Sequence, residues 1–292
     1  MNFSENTNTI ETTRLRTFQV YLKSQVSHFQ EPLWVTNFEL FFSEIIKKYE
    51  KEMEPNLIYS QRISFKDEVS LWITQNHHKE IIHVINCNLI ELPDCIYDTV
   101  LRVHPKWSWM TNTQLAISQL IFFVVIFDIA YVNRSDVNFT SSPERLSCFY
   151  ARANLPFSSL NLPICFGLNE NKNLSIRDFF MQISDFDEAR NEFLFANFSS
   201  NPFDVVFRVH KALTSIECFV RKQLNEENKG KALAFDDLFV LFYGAFLSSD
   251  FCDVFAASRL INSFLKKFHL CPAFEYAKAT LEALVIYLES PI

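Results

Sequence analysis

Leu233-Ala234-Phe235-Asp236-Asp237-Leu238-Phe239-Val240-Leu241-Phe242-Tyr243-Gly244 opens a segment that closes with Tyr276-Ala277-Lys278-Ala279-Thr280-Leu281-Glu282-Ala283-Leu284-Val285-Ile286-Tyr287-Leu288. Three apolar stripes run through it. Leu238, Leu241, Phe242 and Ala245 make the first; Val254, Ala257, Ile261, Phe264 and Phe268 the second; Leu281, Leu284, Val285 and Leu288 the third. Their spacing of three and four residues predicts three amphipathic helices packed on one another. Asp236 and Asp237 stand at the start of the first helix, where the positive end of the helix dipole favours negative charge. On charge alone, Asp236 reads as a helix-capping residue.

The rest of the composition agrees with a helical core. The chain has 292 residues, 49% of them hydrophobic and 15% aromatic, with 32 Phe. That is ample apolar material for one large domain or two small ones, and it excludes a disordered chain. Only three Gly occur, at positions 167, 230 and 244. So few glycines leave an all-β fold without its tight turns, and the fold class expected is all-α. The same scarcity removes every phosphate-cradling loop of the GxGxxG or GxxxxGK[ST] type, which excludes a kinase, an ordinary NTPase and a Rossmann dehydrogenase. A net charge of −7 excludes a nucleic-acid partner, because phosphate contacts need clustered Lys and Arg.

No metal and no cofactor are expected. The seven Cys (87, 95, 148, 165, 218, 252 and 271) show no CxxC or CxH spacing and read as reduced, buried thiols. The His77-His78 pair has no Cys or carboxylate at helical spacing to complete a ligand set. No GxSxG elbow is present. Glu275, Glu282, His210 and His269 read as solvated or internally satisfied side chains. The polar stretch Met1–Arg16 has no apolar core of a signal peptide, so the sequons at Asn138 and Asn197 are read as chance.

In chain order, residues 1–16 read as a tail and 17–292 as one helical domain, with a helical bundle at 17–135 and a core at 136–292. Thr36-Asn37-Phe38-Glu39 fits a capping box ahead of the apolar face Phe38, Phe41, Phe42, Ile45 and Tyr49. Ser64-Phe65-Lys66-Asp67 caps a helix through Val69, Trp72 and Ile73 that ends at His77-His78. Glu80 to Val103 reads as helical, restarted at Pro93, and Pro105 to Trp109 as a loop. Leu115 to Val132 is the most hydrophobic window. Ser118, Gln119 and Asp128 interrupt it, and Leu120–Phe127 is far short of the roughly 20 apolar residues of a membrane span, so it reads as a buried central helix. Further helix starts stand at Ser142-Pro143-Glu144, at Ser175-Ile176-Arg177-Asp178 (a helix through Phe179, Phe180 and Ile183) and at Asn201-Pro202-Phe203-Asp204. The last carries Val205, Val206, Val209, Leu213, Ile216 and Val220. Leu155 to Pro163 reads as extended or looped, and Gln223 to Gly230 as a loop.

The segment from 233 to 288 resembles the C-terminal part of the VPS-nine (vacuolar protein sorting nine) domain, the catalytic module of exchange factors for Rab-five-type GTPases. That family's pattern is an Ala-Asp-Asp-Leu-Leu-Pro-like turn, an apolar helix, a helix ending in Ile…Phe, and then Tyr-x-x-Thr-x-x-Glu-Ala-Ala. Asp236-Asp237-Leu238-Phe239, Ile261…Phe264 and Tyr276…Glu282-Ala283 follow it without a gap. Asn201-Pro202-Phe203-Asp204 and Val206-Phe207-Arg208-Val209-His210-Lys211-Ala212 resemble an upstream helix of the same family.

The resemblance implies a VPS-nine-type bundle preceded by a second helical bundle. It implies guanine-nucleotide exchange in endosomal vesicle trafficking, with no covalent chemistry and no cofactor. The implied partner is a Rab-five-type GTPase, and the implied location is cytoplasmic, peripheral on early endosomes. Asp236 falls on the family's aspartate finger, which competes with phosphate and Mg²⁺ in the GTPase pocket, and Tyr276 on the tyrosine that shapes the GTPase-contacting surface. Asp237, Val240, Ala279 and Thr280 take GTPase-binding positions. Two residues depart from the pattern: Val240 replaces the family's Pro, and Ala279 its Thr, with Thr280 adjacent. These departures favour an alternative, a VPS-nine-like module that docks a Rab or another trafficking protein without exchange. A third reading, a membrane-embedded or purely structural helical protein, rests on Leu115–Val132.

Overall fold

The computed structural model describes residues 69–70, 72–104, 111–134, 143–160, 174–223, 235–251 and 253–290. The tail, both early capping boxes, the loop at 105–109, the Ser142 cap and the loop at 224–230 lie outside them. The fold is all-α. Among the described residues the β pairing is an isolated antiparallel bridge between Pro156 and Ser175. The chain divides into two compact units, Met1–Val137 with Lys267–His269, and Asn138–Lys266 with Leu270–Ile292.

In the first unit, helical residues 72–76 lead into α1 (His78–Asn86), followed by α2 (Leu92–Val103) and α3 (Asn112–Val132). The helix read from Glu80 to Val103 does restart at Pro93, as expected. Residues 87–91 form a turn, and α2 restarts with Pro93 in its first turn, where a missing N–H costs nothing. His77 ends the preceding helical stretch as expected, its N–H donating to the Ile73 carbonyl at 2.7 Å, whereas His78 already belongs to α1. α3 packs on α1 and α2 and is apolar nearly all round, with Phe122 to Asp128 buried without a break. This is the central helix that its composition predicts. Among the described residues, no helix is long and apolar enough to cross a membrane. The end of α1 is capped from a distance: Nη1 of Arg134 donates to the carbonyls of Val84 (3.3 Å), Ile85 (3.2 Å) and Cys87 (2.6 Å).

His104 closes α2 inside this core. Its Nε2 lies 2.5 Å from Ser118 Oγ, and its ring stands edge-on to Phe122 at 5.1 Å. Burial pushes the imidazole from 6.5 down to about 4. The neutral form is therefore the folded form. Its contribution to stability is complete above about pH 6.5 and is lost as the pH falls towards about 4. Acidification through that window is expected to lower the unfolding midpoint of this unit, and His104→Gln to flatten the decline. Trp72 fluorescence follows it, since the indole meets Phe122 edge-on at 5.8 Å. An equal acid sensitivity in both proteins would exclude His104 as its source.

The second unit contains α4 (Pro143–Ala153), α5 (Ile176–Met181), α6 (Asp187–Asn197), α7 (Pro202–Gln223), α8 (Phe235–Leu247), α9 (Val254–Phe264) and α10 (Pro272–Glu289). Short 3-10 turns occur at Phe157–Leu160 and Ser184–Phe186. α7 is the hub and packs against α6, α8, α9 and α10. The local start signals hold. Ser175 Oγ accepts from Asp178 N–H at 3.0 Å and donates to its carboxylate at 2.7 Å. Asn201 Oδ1 accepts from Phe203 N–H at 3.0 Å, which starts α7 at Pro202. α5 ends earlier than expected, at Met181, leaving Ile183 outside. There the Arg190 guanidinium bonds the carbonyls of Phe180 (2.5 Å) and Ile183 (3.2 Å) and closes the helix end.

Two features tighten this core. Glu192 on α6 and Arg208 on α7 form a buried pair at 2.9 Å, with the guanidinium 5.0 Å from the Phe195 ring. Gly244 of α8 lies directly under the fully buried Phe180 ring, where a Cβ would overlap the ring atoms. The described cysteines are less buried than expected, while Cys165 and Cys252 lie outside the described residues. Cys87, Cys95 and Cys148 are half-buried and Cys218 and Cys271 exposed, all with free thiols. Cys218 lies on the outer side of α7, and Cys271 in the turn ahead of α10.

Candidate functional site

α8 begins at Phe235, so both acids fall in its first turn, against the unpaired N–H groups of the helix end. Leu238, Leu241, Phe242 and Ala245 are all buried, as the stripe predicts. Their burial fixes the rotation of the helix and leaves Asp236 exposed and Asp237 half-buried. Val240 is half-buried inside the helix, where it can donate a backbone N–H. A proline at this depth would remove that donor and clash with the preceding turn at a cost of about 3 kcal/mol. α8 therefore runs unbroken through Val240.

An aromatic cluster lies beside the acids. Tyr287 of α10 meets Tyr243 at 4.9 Å and Phe239 at 6.1 Å. The Arg152 guanidinium from α4 stands 5.0 Å over the Tyr287 ring and donates to the Ser290 carbonyl at 2.6 Å. Burial holds the Tyr243 hydroxyl well above its ordinary range, against the opposing pull of Arg152. Ile286, next to Tyr287, is 69% exposed. The result is an exposed carboxylate about one helical turn from a partly open aromatic surface.

Tyr276 sits elsewhere on α10. α8 reaches that helix at Tyr287, about three turns and roughly 16 Å further along the axis, so this contact does not bring Asp236 and Tyr276 together. Tyr276 is half-buried; burial raises its hydroxyl above the ordinary range, Glu217 of α7 adds to the rise, and Thr280 opposes it. Thr280 is only 1% exposed, and its Oγ1 donates to the Tyr276 carbonyl at 2.8 Å. It supports the tyrosine's own turn from inside, while Ala279 is exposed. Ile261 and Phe264 of α9 are core residues. Among the described residues, no cluster of three or more His, Cys, Asp or Glu could hold a metal ion.

No protein-family model, curated protein or solved structure matches the chain. The site is therefore read from its own residues. Sequence reasoning missed Arg152 and Tyr287. A lone arginine has no local pattern, and its partners lie near the far end of the chain. Tyr287 did carry a signal, since it falls just outside the apolar stripe of α10.

Proposed function

We propose that this chain is a guanine-nucleotide exchange factor for a Rab-five-type GTPase and acts at the endosomal membrane surface as a peripheral protein. The observation that supports this reading best is the exposed Asp236 carboxylate on the first turn of α8, flanked by the partly exposed Phe239 and Tyr287. GDP is held in a GTPase by phosphate contacts with a lysine and Mg²⁺. A carboxylate fixed on a rigid helix gives that lysine a substitute partner and repels the phosphate. The aromatic surface supplies apolar contact area beside it. Tyr276 and Ala279 would add a second contact region on α10, and Asp237 and Val240 would border the first.

A second reading, docking of a Rab without exchange, is favoured by Val240 and Ala279 at positions where the family has Pro and Thr. Release of fluorescent GDP from a panel of purified Rab proteins separates the two. The expected result is acceleration on one Rab, reduced on the order of 100-fold by Asp236→Ala, with binding to that Rab retained. Binding without acceleration would select the docking reading. Neither binding nor acceleration on any Rab would overturn both.

A further inference from the structure

α10 turns one side to the core of the second unit, where Phe274, Ala277, Thr280, Leu281, Leu284 and Leu288 are buried, and the helix packs against α7, α9 and α4. Its other side carries a second pattern. Tyr276, Ala279, Ala283 and Ile286 follow one another at steps of three, four and three residues, the repeat of a coiled-coil seam. Ala279 is exposed, Ile286 is 69% exposed, and Tyr287 beside it is 44% exposed. The two alanines at the centre of the seam let a second helix come close. Glu275, Glu282 and Glu289 recur every seven residues, just ahead of Tyr276, Ala283 and Ser290. They line one edge of the seam over roughly 21 Å. Glu282 meets Lys278 at 3.9 Å and Glu289 meets Arg145 at 3.2 Å, but the two carboxylates are 39% and 43% exposed. Pairs this open to water are weak, so the carboxylates can exchange them for the cations of a partner.

We propose that this face of α10 docks an amphipathic helix of a partner protein, with apolar residues at three–four spacing and a row of Lys or Arg along the edge that meets Glu275, Glu282 and Glu289. Charge decides among the occupants. A second copy of the chain laid antiparallel would set one glutamate row against the other. Laid parallel, it would set the row against uncharged Thr280 and Tyr287. An anionic membrane surface would repel the same row. A basic helix turns it into interhelical ion pairs, which select the partner and fix its register.

The test is fluorescence anisotropy of a labelled helical peptide of about three heptads, with Leu at the seam positions and Lys at the flanking ones. It is titrated with the full chain beside a second peptide in which Glu replaces Lys. Tyr276 and Ala279 are shared with the GTPase contact proposed above, but neither peptide involves a GTPase, so this result and that of the exchange assay are independent. The Lys peptide is expected to bind, and the Glu peptide to bind on the order of 10-fold more weakly. Glu275→Lys/Glu282→Lys is expected to reverse the preference, which a damaged fold would not do. Ile286→Asp is expected to weaken the Lys peptide on the order of 10-fold. No binding of the Lys peptide, equal affinity for both peptides, or a preference that survives the glutamate reversal would overturn the proposal. Dimerisation or binding to phosphatidylcholine vesicles that Ile286→Asp abolishes would also overturn it, by giving the face to a second copy or to lipid.

Discussion

Replacing Glu192 by Ala is expected to destabilise the second unit by about 3–5 kcal/mol, the cost of taking the carboxylate away from a buried guanidinium. The side chains of Arg208 and Glu192 are only 10% and 12% exposed, so solvent cannot take the place of the lost carboxylate. Arg208 is held on both sides, 5.0 Å from Phe195 and 5.9 Å from Phe207, and cannot swing out to water without opening the α6–α7 contact. Urea unfolding followed by far-UV circular dichroism measures the loss. The double variant Glu192→Leu/Arg208→Leu is expected to lose less than Glu192→Ala alone, since an apolar pair of closer volume removes the buried charge altogether. A loss below about 1 kcal/mol would place the pair among solvent-screened surface bridges.

Gly244→Ala reverses a rule. In an open helix the change stabilises by about 1 kcal/mol, because alanine is the better helix former. Here the new methyl group would enter the space of the Phe180 ring. That ring is fully buried and walled in by Phe186 at 5.1 Å, Phe179 at 5.6 Å and Phe157 at 6.2 Å, so it has little room to move aside. Overpacking of this kind costs roughly 1–3 kcal/mol beyond the propensity gain, and the expected net result is a clear fall in the unfolding midpoint. The diagnostic measurement repeats Gly244→Ala in a Phe180→Ala background. Once the ring is absent, the same substitution should become neutral or stabilising. A stabilising effect in the wild-type background would mean that the α5–α8 contact is looser than described.

What the sequence made legible follows the range of the forces. Ser175 and Asn201 could be read as caps because their partners are two or three residues away. The stripes of α8, α9 and α10 could be read because a helix repeats its buried face. α6 escaped notice because two of the residues that orient it, Ala189 and Ala196, are small and give little periodic signal, while its buried acid looks like a surface residue until Arg208 is set beside it. The importance of Gly244 was equally hidden, since its reason is a ring far away in the chain. At the site, the start of α8 and the solvent-facing Asp236 follow from local pattern. The inward turn of Thr280 and the Arg152–Tyr287 contact depend on how α4, α8 and α10 meet.

Arg134 gives the first unit a built-in order of assembly. The α1–α2 hairpin is local and can form as soon as its residues are available. The last carbonyls of α1, however, are met by a guanidinium 47 to 50 positions downstream. Closing that loop requires α3 to be laid down along its whole length first, with the entropy of the intervening chain overcome by the apolar burial of α3. The hairpin is therefore expected to start early and finish late, with its final turn fraying in any partly folded state that lacks α3.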